Sequence, residues 1–277
     1  MGAGGKTALI TGASSGIGHE LAKLFAQNRH NVVLVARSRE KLAAVADELQ
    51  RRHGVQAIPL PADLAQPDAP REIYEALRER GIAVDFLVNN AGFGLYGPFA
   101  QTDWPIERDM LQVNVVALTH LTKLLVPEMI RRGAGRILNM ASMAAFQPGP
   151  LMAVYYATKA YVLSFSEALA AELKGTGVTV TALCPGPVKT NFDRRARLDS
   201  SKLFKRRFLM ADAPTVAAAG YRGMMAGKSL VIPGWPNKLL VQGQRLAPRT
   251  LVVRVVRKLQ EPIDGPTLPF SGRSVPR

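Results

Sequence analysis

The sequence predicts an α/β fold in which helices cover both faces of a doubly wound parallel sheet. Over roughly the first two thirds of the 277 residues, short β-branched or apolar runs alternate with longer helical patterns. Several of the short runs are apolar throughout, as expected of strands covered on both faces. A glycine-rich turn lies between the first such run and the first helical pattern. A chain of this length suits one large domain or two small ones, and the unbroken alternation favours one.

The elements follow in chain order. The first strand and helix flank the glycine-rich turn, the second strand is rich in valine, and a long helical pattern precedes the fifth strand. The predicted strands are Thr7–Ile10, Asn31–Val35, Gln56–Pro59, Phe86–Asn89, Arg136–Met140, Val178–Cys184 and Ser229–Ile232. The predicted helices are Ile17–Gln27, Glu40–Arg52, Glu72–Arg80, Ile106–Arg132, Ala153–Lys174 and Thr215–Ala226.

The alternation breaks after Cys184, and this sets the domain boundaries. Residues 1–234 are predicted to form the domain, with a basic, irregular and partly helical flap at about 190–212. Residues 235–261 form a basic amphipathic extension. Residues 262–277, with four prolines, are predicted to be an irregular tail.

Charge is concentrated near the C-terminus. Residues 1–190 hold 19 basic and 16 acidic residues, whereas residues 191–277 hold 17 and 5. Such a region suits nucleic acid, anionic lipid or an acidic substrate, or is a solubilising surface. We expect no nucleic-acid binding, because no interleaved aromatic platform or recognised module accompanies the charge.

Cysteine content and the pattern of apolar residues indicate the cellular compartment in which the protein is expected. The single cysteine, Cys184, excludes an internal disulfide framework and is expected to be a buried structural thiol. The sequence contains no run of 18 or more apolar residues, so no membrane-spanning helix is expected. No signal-peptide pattern precedes the first strand. We therefore expect a cytoplasmic protein. The four scattered histidines show no metal-ligand spacing, so no metal site is expected.

The turn from Thr11 to Gly18 has the spacing G-x-x-x-G-x-G. Glycines at these positions allow a tight turn and close approach of a pyrophosphate, while the helix N-terminus offers free N–H groups. A glycine-rich loop alone is weak evidence. Its place between a strand and a helix predicts a dinucleotide site.

The end of the second strand predicts which dinucleotide. An acidic residue near this point binds the ribose 2′-hydroxyl of NAD, but here Ala36 and Arg37 stand, with Arg39 beyond. A guanidinium attracts a 2′-phosphate, and Ser14 offers a further hydroxyl contact. The expected cofactor is NADP(H), although a plain surface arginine at a strand end is the alternative.

Tyr155 and Lys159 are four residues apart on a predicted helix, so their side chains share one face. A nearby ammonium stabilises a phenolate, and we expect Lys159 to lower the pKa of Tyr155. A phenol tuned in this way is suited to general acid–base chemistry. Tyr156 has no lysine at the same offset and is assigned to packing. The pair alone is common and carries little weight.

An ordered set of motifs gives the pair its meaning. It comprises Thr11–Gly18, Asn89-Asn90-Ala91-Gly92, Asn114, Ser142, Tyr155-Tyr156-Ala157-Thr158-Lys159 and Pro185-Gly186-Pro187-Val188-Lys189-Thr190. This order resembles the short-chain dehydrogenase/reductase family, with its Rossmann-type fold, over about residues 5–233. The chain, with its extended ending, resembles an unassigned, NADP(H)-preferring branch near the ketoacyl and hydroxysteroid reductases.

The resemblance implies catalytic roles. Ser142 would bind and orient the substrate oxygen, and Tyr155 would exchange a proton with it. Lys159 would hold the nicotinamide ribose, and Asn114 would keep a water in a proton relay to Lys159. These roles imply interconversion of a ketone or aldehyde and an alcohol.

The resemblance also implies the cofactor contacts. They are Gly12, Ser14, Ser15, Gly16, Ile17, Gly18 and Arg37 for the adenine half, Asp63 and Leu64 beside the adenine, Asn90, Ala91 and Gly92 at the ribose, Tyr155 and Lys159, and Pro185, Gly186, Val188 and Thr190 at the nicotinamide. The long ending departs from the family pattern, in which the last strand and helix often form a subunit contact. We still expect a homo-oligomer.

The substrate side is predicted to be apolar. Candidate contacts are Ser142, Phe93, Met143, Pro187 and Phe192, with Leu203, Phe204, Phe208, Leu209 and Met210 of the flap. An acyl, lipid-like or steroid-like substrate fits such a cleft, but these residues could equally pack the flap against the domain.

The C-terminal extension leaves two alternatives open. As a helix from Pro248, it places Leu251, Val252, Val255 and Leu259 on one face. That face could contact an anionic membrane weakly through residues 245–260, or pack on a partner subunit.

Two other functions remain. One is epimerisation or dehydration of a nucleotide sugar on the same frame, and the other is a non-catalytic dinucleotide-binding redox sensor. The generic loops disfavour the first, and the intact Ser142, Tyr155 and Lys159 set disfavours the second.

Overall fold

A computed structural model describes residues 5–189 and 210–261. Thr190, Phe192, Leu203, Phe204, Phe208, Leu209 and the predicted tail 262–277 lie outside the described residues, so the predictions made for them stay predictions.

A parallel sheet forms the centre of the described structure. Its seven strands are β1 (Thr7–Thr11), β2 (Asn31–Ala36), β3 (Ala57–Pro61), β4 (Phe86–Asn89), β5 (Gly135–Met140), β6 (Val178–Leu183) and β9 (Leu230–Val231). Their order across the sheet is β3-β2-β1-β4-β5-β6-β9, and each neighbouring pair is parallel. This Rossmann-type order confirms the predicted fold class. The order in which successive strands are added to the sheet reverses between β1 and β4, and sheets of this kind bind ligands at that point.

Nine α-helices accompany the sheet in the described residues. They are α1 (Gly16–Gln27), α2 (Arg39–His53), α3 (Ala69–Glu79), α4 (Trp104–Leu111), α5 (Leu118–Arg131), α6 (Ala153–Glu172), α7 (Ala213–Met225), α8 (Trp235–Leu246) and α9 (Arg249–Gln260). Short 3₁₀ turns span Phe99–Gln101 and Met143–Phe146. The six helices predicted before residue 230 are present, with ends shifted by a few residues.

The core lies on both faces of the sheet. On one face, Leu21 and Phe25 of α1 pack with Leu42 of α2 and Val216 of α7. On the other, α3 and α5 pack through residues such as Ile73, Leu121 and Leu125. Burial on both faces explains why these strands are apolar throughout.

The predicted helix Ile106–Arg132 is not uniform. Between α4 and α5, Gln112–Ala117 form a π-helical segment, a feature frequent at functional sites. By length and composition alone, the continuous stretch Trp104–Arg131 could cross a membrane. Here Asn114, Leu121 and Leu125 are buried within the domain, as in the core helix of a globular fold.

The structure differs from prediction after residue 184. Part of the predicted flap, Ala211–Asp212, forms a short strand, β8, which pairs with β7 (Val188–Lys189). The predicted strand Ser229–Ile232 shortens to Leu230–Val231. The segment 235–261, predicted as a basic amphipathic extension, contains α8 and α9, and Val256 of α9 is buried with Tyr155 and Tyr156.

Candidate active site

A cavity of about 1590 Å³ opens at the carboxyl ends of the strands. Gly12 follows β1, Arg37 follows β2, Asn90 follows β4, Ser142 follows β5 and Pro185 follows β6. All five line this cavity. The fold therefore gathers at one place the motifs that the sequence spreads over 170 residues.

The glycine-rich turn lies against the segment after β4. Gly12 has a positive φ of 68°, and a Cβ there would lie 2.7 Å from Asn90 Nδ2. A Cβ at Gly18 would lie 2.4 Å from both Asn90 Nδ2 and the Gly12 carbonyl oxygen. Side chains are thus excluded from both positions. Gly18 serves this close packing and, unlike Gly12 and Gly16, does not line the cavity.

Thr11 joins the turn to β4, a role that the sequence analysis missed. Its hydroxyl donates to the Val88 carbonyl (3.3 Å) and accepts from the N–H groups of Asn90 and Ala91, both at 3.0 Å. Asn90 Nδ2 in turn donates to the Thr11 carbonyl at 2.9 Å. Thr11 begins the recognised motif, but its partners are nearly 80 residues away along the chain.

The adenine end of the cavity suits a phosphorylated ribose. The first turn of α1, fully described, holds no acidic residue, so its N-terminus is free for a pyrophosphate. Arg37 is exposed beside Ser38 and Lys41, which also line the cavity. Lys41 is a second candidate cation that the sequence analysis missed, although it lies only four residues after Arg37.

Tyr155 and Ser142 meet at the other end. Tyr155 is buried on α6, and its hydroxyl is hydrogen-bonded to the Ser142 side chain. Ser142 Oγ also accepts from Ala144 N at 3.1 Å, which fixes it at the start of the 3₁₀ turn. Two hydroxyls are therefore directed together at one point of the cavity, where a substrate oxygen can accept from both.

The expected lowering of the Tyr155 pKa is wrong for this structure. Burial raises the pKa of Tyr155 above its ordinary value, and the hydrogen bond from Ser142 opposes this only in part. The Lys159 ammonium lies 5.7 Å from the centroid of the Tyr155 ring, and it donates to the Met140 carbonyl at 2.8 Å. At that distance, it does not overcome the cost of burying a phenolate.

Lys159 is itself perturbed. It is 4% exposed, and burial lowers the pKa of Lys159 from 10.5 to about 8. The amine therefore stays largely protonated at neutral pH but can release its proton just above it. A group with a pKa near the working pH is suited to passing protons.

Asn114 lies behind the cavity, in the π-helical segment. Its Oδ1 accepts from Phe93 N at 3.1 Å, and its Nδ2 donates to Phe93 O at 2.9 Å and Thr158 Oγ1 at 3.1 Å. A Cβ at Gly92 would lie 2.9 Å from Asn114 Oδ1 and 3.5 Å from Lys159 Nζ. Glycine at position 92 thus leaves Asn114 and Lys159 facing one shared space, which is where the predicted relay would run.

The remaining predicted residues lie as follows. The described contacts that line the cavity are Gly12, Ser14, Ser15, Gly16, Ile17, Arg37, Asp63, Leu64, Asn90, Ala91, Gly92, Phe93, Ser142, Met143, Tyr155, Lys159, Pro185, Gly186, Pro187 and Val188. Cys184 is fully buried, as predicted, and burial raises the pKa of its thiol to about 12.

The C-terminal helices form the far wall. Leu251, Val252, Val255 and Leu259 lie on one side of α9, as the periodicity predicted, and all four line the cavity. In the described structure this apolar face is therefore directed at the site itself.

Comparison with known proteins adds independent information. Residues 6–201 match the family model described as short chain dehydrogenase. A short chain dehydrogenase of Pseudocercospora fijiensis is 40% identical over 190 residues, which cover 67% of this chain and 60% of that protein. The chain thus spans less than two thirds of that relative's length.

Two solved structures share the fold. A short-chain dehydrogenase from Sphingobium yanoikuyae in complex with NADPH has a TM-score of 0.77 and 33% identity, covering 87% of this chain and 94% of that one. The bulky-bulky ketone specific alcohol dehydrogenase from Comamonas testosteroni has a TM-score of 0.74 and 31% identity, covering 88% and 94%.

Proposed function

The chain belongs to the short-chain dehydrogenase family, and from this we propose that it is an NADP(H)-dependent oxidoreductase that interconverts a ketone or aldehyde and an alcohol. The observation that carries the proposal is the hydrogen-bonded Ser142–Tyr155 pair beside Lys159, in the same cavity as the glycine-rich turn.

The residues present fit the dinucleotide. The open N-terminus of α1 and the side-chain-free turn at Gly12 suit the pyrophosphate. Arg37, with Ser38 and Lys41 nearby, suits a ribose 2′-phosphate. When bound, the nicotinamide supplies a hydride to the carbonyl carbon, or accepts one from the alcohol.

Tyr155 acts on the oxygen. Because burial raises the pKa of Tyr155, the phenol carries its proton at neutral pH and is ready to donate it during reduction. Ser142 donates a second hydrogen bond to the same oxygen and holds the carbonyl in place. As negative charge develops on that oxygen, both donors already face it, which stabilises the transition state. Lys159, with a pKa of about 8, is placed to pass a proton toward Tyr155 and to be reprotonated from the space behind Gly92 that it shares with Asn114.

The substrate side supports an apolar carbonyl compound. Phe93, Met143, Met152 and Pro187 line the cavity near Ser142, and its volume exceeds the about 300–1,000 Å³ of an ordinary small-ligand pocket. That leaves room for a bulky substrate beside a dinucleotide. The bulky-ketone specificity of the Comamonas enzyme agrees with this choice.

Self-association is a further part of the proposal. Val116 of the π-helical segment and Tyr161 of α6 are 47% and 40% exposed, and Phe165 stacks on Tyr161. Apolar side chains exposed together favour a contact with a second copy, which supports a homo-oligomer. A reducing cytoplasm suits the free Cys184 thiol. Light scattering during size-exclusion chromatography measures the oligomeric state.

The experiment follows NADPH absorbance in the presence of a panel of ketones and aldehydes, with wild type, Tyr155→Phe and Tyr161→Phe. We expect wild type to oxidise NADPH, and Tyr155→Phe to lower kcat by roughly 10²- to 10⁴-fold, as loss of a general acid does. Tyr161, exposed on the same helix and not lining the cavity, is the matched control: Tyr161→Phe removes a hydroxyl but keeps the ring that stacks on Phe165, and it should leave kcat unchanged. Undiminished turnover in Tyr155→Phe would refute the mechanism. NADPH binding without any turnover would indicate a non-catalytic dinucleotide-binding protein.

A further inference from the structure

The wall formed by α8 and α9 carries large apolar side chains that are exposed at the cavity and not buried in the core. Six of them are between 43% and 73% exposed, and all six line the cavity. They are Trp235, Leu239, Leu240, Leu251, Val255 and Leu259. Apolar surface left open around a cavity marks a place where apolar material binds.

The basic residues of α9 lie on a different side of the helix from the apolar side chains that line the cavity. Arg249, Arg254, Arg257 and Lys258 are exposed, and among the residues described none of the four lines the cavity. The helix is therefore two-sided, with its apolar side facing the site and its basic side facing away.

Gln260 connects this wall to the catalytic helix. It is 1% exposed, its Nε2 donates to the Tyr156 hydroxyl, and its backbone carbonyl accepts from the Tyr96 hydroxyl. Tyr156 directly follows Tyr155, and the two rings meet edge to face. A Cβ at Gly149 would overlap the Tyr156 ring, with 2.2 Å to Cγ, so this ring is closely held.

Val256 completes the connection one turn before Gln260. It is buried in the same cluster as Tyr155, Tyr156 and Met152, with Val252 packed against that cluster. The end of α9 is thus held by an apolar contact and two hydrogen bonds, all within the catalytic region.

We propose that α8 and α9 form a pocket wall for the apolar portion of the substrate, and that Gln260 is the positioning residue that holds this wall beside Tyr155. The occupant is a straight hydrocarbon chain of the substrate whose carbonyl contacts Ser142. This rests on the proposed function and deepens it, because it assigns the preference for apolar substrates to residues 235–260.

The test measures affinity and kinetics across a series of straight-chain 2-ketones from four to twelve carbons, in the presence of saturating NADP⁺ for binding and NADPH for turnover. Burial of each added methylene should tighten binding by about threefold to fourfold in wild type. In a Leu251→Ser/Val255→Ser/Leu259→Ser variant, this gain should fall below about twofold per methylene. These side chains are about half exposed, so their replacement leaves the core intact.

Ile130→Ser is the matched control. Ile130 is 40% exposed on α5 and is not among the described residues that line the cavity. Its replacement removes a similar apolar side chain elsewhere and should leave the chain-length dependence unchanged.

Gln260→Leu tests the positioning role. We expect it to raise KM for the long ketones by roughly tenfold, an effect typical of losing a buried hydrogen bond. The KM for butanone should rise far less than the KM for the long ketones, and the Kd for NADPH should stay within twofold, a pattern that general unfolding would not give.

The outcomes separate the two proposals. If ketones bind more tightly with increasing chain length but are not reduced, the proposed function is wrong and the substrate-binding role of α8 and α9 is supported. If ketones are reduced but neither binding nor KM depends on chain length, the role of α8 and α9 is wrong and the proposed function is supported. The wall is also overturned if the triple serine variant keeps the full dependence and instead loses self-association or binding to anionic vesicles.

Discussion

Arg37 lies exposed where β2 ends, within a cavity rim that also holds Ser38 and Lys41. A guanidinium at this place distinguishes a ribose 2′-phosphate from a 2′-hydroxyl through charge-assisted hydrogen bonds.

Replacing Arg37 with aspartate should therefore reverse the cofactor preference. Loss of one charge-assisted contact predicts that Arg37→Asp raises KM for NADPH by roughly 10- to 100-fold and favours NADH. Arg39→Asp is the control, since Arg39 is exposed nearby without lining the cavity. Steady-state kinetics with both cofactors measure this, and an unchanged NADPH preference in Arg37→Asp would count against Arg37 as the phosphate ligand.

Lys159 links the site to stability. Its pKa is about 8 in the fold against 10.5 for an ordinary lysine. Between these values the unfolded chain binds more protons, so burying Lys159 costs stability below pH 8, and the cost disappears as the pH rises toward 10.5.

A Lys159→Met variant should lack this dependence. Between pH 7 and pH 10 the free energy of unfolding of wild type should rise by roughly 2–3 kcal/mol from Lys159 alone. The variant lacks this rise, so its stability relative to wild type should fall by the same amount. Urea unfolding of the cofactor-free chains at several pH values measures the difference. A difference that does not change with pH would mean that Lys159 does not titrate with a lowered pKa.

At the scale of elements, α7 lies unusually close to the last strands of the sheet. A Cβ at Gly223 would lie 2.2 Å from Val231 Cγ2, and one at Gly220 would lie 2.6 Å from Leu183 Cδ2. Small residues one turn apart therefore allow the helix to pack directly on β6 and β9.

Gly223→Ala should force α7 away from β9. Overpacking predicts a loss of about 1–3 kcal/mol of stability, despite the better helix propensity of alanine. Gly243→Ala in α8 meets open space and should instead gain up to about 1 kcal/mol. Denaturant midpoints for both variants decide this, and a stabilising Gly223→Ala would contradict the described packing.

The sequence pattern predicted which side chains share a face of a helix, whereas what that face contacts depends on tertiary packing. Periodicity placed Leu251, Val252, Val255 and Leu259 on one face of α9, but could not show that this face lines the cavity. That depends on Tyr96 and Tyr156, which lie 164 and 104 residues from Gln260. The π-helical segment was also not predictable, because Asn114 is held there by Phe93 and Thr158.

At the scale of the whole molecule, the ordered motifs predicted the fold and brought together most of the site. The direction of the Tyr155 pKa shift was wrong, because it depends on burial, which a four-residue spacing does not reveal. Thr11 and Lys41 were missed since no motif assigned them a partner.

The concentration of 17 basic residues in 191–277 is also a property of the whole molecule. With the apolar side of α9 facing the cavity, only its basic side is free for a membrane. We predict that any binding to anionic vesicles is weak and is lost when KCl is raised from 0.1 to 0.5 M, because the Debye length falls by roughly half over this range. Cosedimentation measures it, with Leu251→Ser expected to match wild type. Binding that resists salt would show that the apolar face inserts.

The central claim is hydride transfer between NADP(H) and a carbonyl carbon at the Ser142–Tyr155 pair. The most direct measurement supplies NADPH with deuterium in place of both hydrogens at C4 of the nicotinamide, together with a long-chain 2-ketone, and analyses the alcohol by mass spectrometry. The account predicts one cofactor-derived deuterium on the carbinol carbon, and almost no product from Tyr155→Phe. Alcohol without that deuterium, or equal product from Tyr155→Phe, would contradict it.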